Sequence, residues 1–142
     1  MAITQKLIIE ERINKQVEKK INKQEIKEQT NWQTSLKHQQ EIWISALEWC
    51  ESRGIKEAIN PRDKDGTPSW YSFQFKPETF RYYAIKYGLL SKEITLTETM
   101  EKMENYDLQR EIIRRMVSDR NIKWDQEFPS CFKKIGPPPN MT

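Results

Sequence analysis

Near the start of the chain Ile9, Ile13, Val17 and Ile21 recur every four residues, with Lys, Glu, Gln and Asn filling the positions between. That period belongs to a helix. No Gly or Pro interrupts residues 1 to about 30, so the spacing predicts one charged helix there. Its apolar stripe is narrow, as in a coiled-coil seam or a helix laid on a partner, and a solvated spacer helix reads equally well. The stripe carries no Trp or Phe, which argues against a membrane-surface helix.

A second helix is expected from about Gln39 to Glu51, where Trp43, Ala46, Leu47 and Cys50 share one face. Ser52-Arg53-Gly54 reads as its end, with Gly54 as the C-terminal cap. Residues 55–75 look irregular, punctuated by the turn pairs Asn60-Pro61, Asp65-Gly66 and Thr67-Pro68. Trp70-Tyr71-Ser72-Phe73-Gln74-Phe75 alternates enough to predict a short strand or extended segment. Pro77 suits the first turn of a helix running to about Tyr87 and ended by Gly88. Thr95 and Glu98 have capping-box spacing. Asp107 reads as the cap of a helix that repeats Leu108, Ile112, Ile113, Met116 and Val117 on one face. Gly136-Pro137-Pro138-Pro139 cannot be helical and is expected to be extended. The fold expected is mainly α: a charged N-terminal helix or spacer over residues 1–38, then a small helical domain over 39–142 with a short irregular or β segment.

Composition sharpens the division. Charged residues make up 32% and hydrophobic residues 36% of the 142, but nearly all Trp, Tyr and Phe lie beyond the first thirty positions. The core therefore has to come from the second part. A net charge of +3 is too weak to argue for nucleic acid, though it suits an anionic polymer. With one His, His38, a His-based metal cage or a Ser-His-Asp triad is not expected. Cys50 and Cys131 form no CxxC pair, so a zinc site is not expected either. No stretch is apolar enough to span a bilayer. Leu7-Ile8-Ile9, followed at once by Glu10-Glu11, is too short for a secretory signal.

Glu51 is the first candidate for chemistry. It closes an apolar helix beside Cys50 and shortly after Trp49. Apolar surroundings and the negative end of a helix dipole both raise a carboxyl pKa. A carboxyl kept protonated near neutral pH can supply the proton that a leaving glycosidic oxygen needs. The plainer reading is a solvated Glu at a helix end. Gln74, set between Phe73 and Phe75, needs hydrogen-bond partners, from backbone or from a sugar. Trp70, Tyr71 and Tyr82 or Tyr83 are candidates for walls that stack on sugar rings, or simply for core. Asp63 and Asp65 fall in the turn-rich segment after Glu51, where either could in principle be the second carboxylate of a glycosidase and a turn former is the plainer reading, so no partner carboxylate is obvious. Cys50 and Cys131 are either a long-range disulfide or two unrelated buried thiols.

Several of these residues form an ordered set. Trp49-Cys50-Glu51-Ser52 is followed by Phe73-Gln74-Phe75 with Pro77, Thr79 and Phe80, then by Gln109, then by Phe128-Pro129-Ser130-Cys131 and Lys134-Ile135-Gly136. Over about residues 42 to 138 this resembles the catalytic domain of the resuscitation-promoting factors, relatives of lysozymes and soluble lytic transglycosylases. Where that family keeps a small Gly pair, this chain has Tyr71-Ser72. The resemblance implies an α+β lysozyme-like fold around a glycan cleft and a Cys50–Cys131 disulfide. It implies Glu51 as sole general acid and base, with Gln74, Trp70 and Thr79 against the sugar; Tyr71 joins them as a candidate stacking wall. The substrate implied is peptidoglycan, cut at the β-1,4 bond between N-acetylmuramic acid and N-acetylglucosamine, with no cofactor and no metal. Action in the cell envelope or outside the cell follows from that substrate. The competing expectations are a catalytically inactive glycan-binding or structural module of the same fold, in an envelope or a phage particle, and a cytosolic helical interaction protein. For the N-terminal helix, a protein partner or self-association stands beside a solvated spacer as an equal expectation.

Overall fold

A computed structural model describes residues 2–61, 63 and 65–140. Among the described residues the chain is mainly helical, with six helices and one two-stranded sheet. The elements are α1 (Ala2–Ser52), β1 (Ile59–Asn60), β2 (Ser69–Trp70), α2 (Pro77–Lys86), α3 (Leu96–Met103), α4 (Tyr106–Val117), α5 (Trp124–Glu127) and α6 (Pro129–Ile135). The chain divides into two compact units, Met1–Lys37 and His38–Thr142.

The first unit is helical throughout its described residues, and its large apolar side chains, Leu7 through Ile26 and Trp32, are exposed. The two helices expected from the sequence are one uninterrupted element, α1. The intervening stretch contains no Gly or Pro. Thr30 and Thr34, potential caps, donate instead to the carbonyls of Ile26 and Thr30, four residues back.

The second unit holds the core. Trp43, Ile44 and Leu47 of α1 are buried with Phe73, Phe75, Phe80, Met103, Ile112, Ile113 and Met116. Phe73, Phe80 and Leu47 have no exposed surface, so truncating either Phe to Ala costs about 3–5 kcal/mol. The start of α4 is tied to α1 by polar contacts. Arg110 donates to the Glu41 carboxylate at 2.7 Å, and the Tyr106 hydroxyl donates to Glu48 at 2.5 Å. The Pro-rich tail is fastened the same way, through Trp43 Nε1 to the Gly136 carbonyl at 3.1 Å and Gln40 to the Pro139 carbonyl at 3.0 Å.

Local signals explain most element ends. Thr95 caps α3 by accepting from the Glu98 amide at 3.1 Å while its hydroxyl donates to the Glu98 carboxylate. The cap of α4 is Asn105, whose side chain accepts from the Leu108 amide at 3.0 Å; Asp107, the expected cap, lies in the first turn. α2 ends in a Schellman motif. Gly88 at φ +71° turns the chain, the Leu89 amide reaches the Ala84 carbonyl, and the Gly88 amide reaches Ile85.

The extended segment expected over Trp70–Phe75 is instead a closed hairpin end. Trp70 and Phe75 exchange both backbone hydrogen bonds, at 2.9 and 3.0 Å. The four residues between them form the loop. Its reversal needs left-handed backbone at both ends, supplied by Tyr71 at φ +67° and Gln74 at φ +53°. The loop buries Ser72 and Phe73 together, which simple alternation does not allow.

Candidate active site

Glu51 lies on the last turn of α1, next to Cys50, which forms a disulfide with Cys131 of α6. Ser130, the residue before Cys131, and Glu51 therefore approach from two elements. Between them opens a cleft of about 400 Å³ within the second unit. Glu51, Gln74, Phe75 and Thr79 line one part of it, and Asp63, Asp65 and Lys76 another. The end of α5 (Gln126, Glu127), Phe128 and the start of α6 (Pro129, Ser130) complete it.

The Glu51 carboxyl is half-buried and is pushed up to about 7. Burial is the largest cause, because an ionised carboxylate loses hydration there. The negative charge of Asp63 adds to it, and Lys134 opposes both. Apolar surroundings were expected from the sequence; the contribution of Asp63 was not.

The other polar groups are held firmly. Asp63 accepts from the Ser69 hydroxyl at 2.6 Å and pairs with Lys76 at 3.5 Å. Asp65 accepts from Lys76 at 2.7 Å and from both the amide and hydroxyl of Thr67, which keeps its carboxyl well below the usual range. Lys76 precedes α2, so these contacts pin the start of that helix to the loop. Glu127 accepts from the Tyr83 hydroxyl at 2.8 Å. Burial, then this contact, drives the Tyr83 phenol far above its ordinary value, so it remains a donor.

Gln74 spends its amide on the loop. Nε2 donates to the Tyr71 carbonyl at 2.8 Å and the Ala58 carbonyl at 3.1 Å. What it can offer the cleft is its Oε1 acceptor, suited to an amide N–H or a hydroxyl.

Of the site residues expected from the sequence, the cleft brings together Glu51, Gln74 and Thr79. Trp70 and Tyr71 are not among its lining residues. Their rings pack against one another at 5.8 Å and against the core. Tyr83 is buried and Tyr82 exposed, and neither lines the cleft. Glu127, Lys76 and Gln126 were not anticipated. A Cys50–Cys131 pairing was the one available signal that residues around 130 come to Glu51. Among the described residues no three His, Cys, Asp or Glu side chains are grouped to hold a metal ion, and no helix is long and apolar enough to cross a membrane.

No protein family, no curated protein and no solved structure matches the chain.

Proposed function

We propose that the second unit is a lysozyme-like domain that cleaves peptidoglycan glycan strands at the β-1,4 bond between N-acetylmuramic acid and N-acetylglucosamine. The observation that carries this reading is Glu51, a half-buried carboxyl poised near neutrality in an open polar cleft. Such a group is protonated in a large fraction of molecules at pH 7 and becomes a competent base after giving its proton away. Glu51 protonates the glycosidic oxygen as the bond to the anomeric carbon breaks. The Gln74 acceptor and the Thr79 side chain are available to N-acetyl and hydroxyl groups of the sugar. Glycan strands in the envelope or outside the cell are the partner, and the Cys50–Cys131 disulfide fits an oxidising compartment.

The test is a comparison of wild type with Glu51→Gln on purified peptidoglycan, read by turbidity and by analysis of released muropeptides. Cleavage by wild type and its loss in the variant support the reading. Equal release by both, or none by either, removes it. Retained pelleting with insoluble peptidoglycan in the absence of release would favour a glycan-binding module instead.

A further inference from the structure

We propose that the shallow groove along α2, lined by Glu78, Arg81, Tyr82, Ile85 and Lys86, takes the peptide branch of the glycan strand, so that the chain prefers peptide-bearing strands to bare ones. The inference rests on the glycan-cleaving reading above for its ligand, and names the substrate class within that reading.

One side of α2 serves both the cleft and the groove. Thr79, Tyr82 and Lys86 stand at i, i+3 and i+7, which are neighbours along one face of a helix. Thr79 lines the cleft, and Tyr82 and Lys86 line the groove, whose volume is about 560 Å³. With a rise of 1.5 Å per residue, Tyr82 lies about 4.5 Å and Lys86 about 10.5 Å along α2 from Thr79. A branch that leaves a sugar held at Thr79 therefore meets the groove within its first few residues.

The groups of the groove are held in place by neighbours outside it. Tyr82 is 60% exposed, and its ring is fixed by Tyr83, with centroids 5.0 Å apart and planes at 83°. Arg81 is anchored to the Ile94 carbonyl through Nε at 3.0 Å, and the Nη donors of such a fork suit a carboxylate. Lys86 is held by Asp119 at 2.9 Å and over the rings of Tyr83 and Tyr87, and its ammonium has three donors to share. Glu78 precedes Tyr82 by four residues, which makes the two side chains neighbours on the helix surface. A carboxylate beside an exposed aromatic ring is a site for an ammonium. The groove therefore offers places for both signs of charge around one exposed ring. The hydroxyls and N-acetyl groups of a bare glycan match neither. A peptidoglycan branch carries free carboxylates and, on its diamino residue, an ammonium. Tethered to a sugar in the cleft, that branch is presented at high effective concentration, so a shallow groove of low intrinsic affinity suffices.

The experiment titrates the isotope-labelled full chain, followed by amide NMR, with the synthetic stem peptide L-alanyl-γ-D-glutamyl-L-lysyl-D-alanine and separately with chitotetraose. The peptide should shift the amides of α2 from Glu78 to Lys86, and chitotetraose should shift those of the cleft instead. Tyr82→Ala should weaken the peptide about fivefold, and Tyr82→Phe, which keeps the ring, should not. Acetylating the lysyl amine of the peptide should cost a similar factor, and Glu78→Gln should remove the difference between the two peptides. On peptidoglycan, Tyr82→Ala should raise KM several-fold with kcat little changed. That effect should vanish on strands stripped of their peptides by an amidase. A peptide that leaves α2 unshifted, or that binds wild type and Tyr82→Ala equally, would overturn the inference while leaving glycan cleavage intact. The titration needs no turnover, so a wild type that releases nothing yet binds the peptide on α2 defeats the cleavage reading alone.

Discussion

Cys50 and Cys131 are bonded across 81 positions of sequence, and each is the immediate neighbour of a cleft residue, Glu51 on one side and Ser130 on the other. The disulfide therefore joins two walls of the cleft as well as two ends of the compact unit. Closing a loop of that size restricts the unfolded chain by about 4–5 kcal/mol in the chain-entropy account, less any native strain. Reduction, or Cys50→Ser with Cys131→Ser, should lower the free energy of unfolding by several kcal/mol in urea titrations. A change under about 1 kcal/mol would mean the two helices are held by core packing alone.

Tyr71 offers a cleaner measurement of backbone strain. Its left-handed φ of +67° is a conformation that L side chains adopt at a cost of roughly 1–2 kcal/mol. Replacing it by Ala or by Gly removes the same ring, so the difference between the two variants isolates the Cβ. Tyr71→Gly should be more stable than Tyr71→Ala by about 1 kcal/mol, the reverse of their order in ordinary helix or strand. Thermal melts of the pair decide it; equal stability, or a more stable Ala variant, would remove backbone strain from this position.

That hairpin end also shows where sequence reading stops. Pro77, the Thr95–Glu98 pair and Gly88 announce their elements because each has a local mechanism that needs few neighbours. Tyr71 and Gln74 have no such signal. Their backbone is held by the Trp70–Phe75 exchange and by the Gln74 amide on two carbonyls, in a loop whose Phe73 is fully buried, and none of these contacts is local in sequence pattern. Asn105 and Asp107 illustrate a finer limit, since either type caps helices and only packing decides which does. In the cleft, Glu51, Gln74 and Thr79 were legible as an ordered set of motifs. Asp63 could not be told from Asp65 in the sequence, because the effect of its charge on Glu51 acts through space and not along the chain. Glu127 was invisible for the same reason, being brought in by α5 and α6.

The cap of α3 is a test of one such local mechanism. Thr95→Ala removes the hydroxyl that accepts the Glu98 amide and donates to its carboxylate. The expected loss is about 1 kcal/mol in chemical denaturation. Thr95→Ser should retain most of it, and an Ala variant as stable as wild type would show that solvent caps the helix equally well.

Glu51 should cost the fold stability where it is ionised. Its ordinary value is 4.5 and its folded value about 7, so the folded state binds the proton more tightly than the unfolded chain. By linkage, the stabilisation carried by the protonated form is fully present below about pH 4.5 and is lost as pH rises through 7. The size of the shift corresponds to something on the order of 3 kcal/mol, to be taken as an upper figure for a half-buried group. Glu51→Gln keeps the shape of the neutral carboxyl and cannot ionise. The variant should match wild type near pH 4 and exceed it by about 2–3 kcal/mol near pH 8, measured by urea unfolding across the range. This holds whatever substrate the cleft accepts, because it depends only on burial and on the charge of Asp63. In Asp63→Asn the second cause is gone, so the gain from adding Glu51→Gln should shrink but persist, burial being the larger of the two. A gain that is the same at both pH values would show that Glu51 is not held neutral by its surroundings, and the basis for giving it the role of acid would go with it.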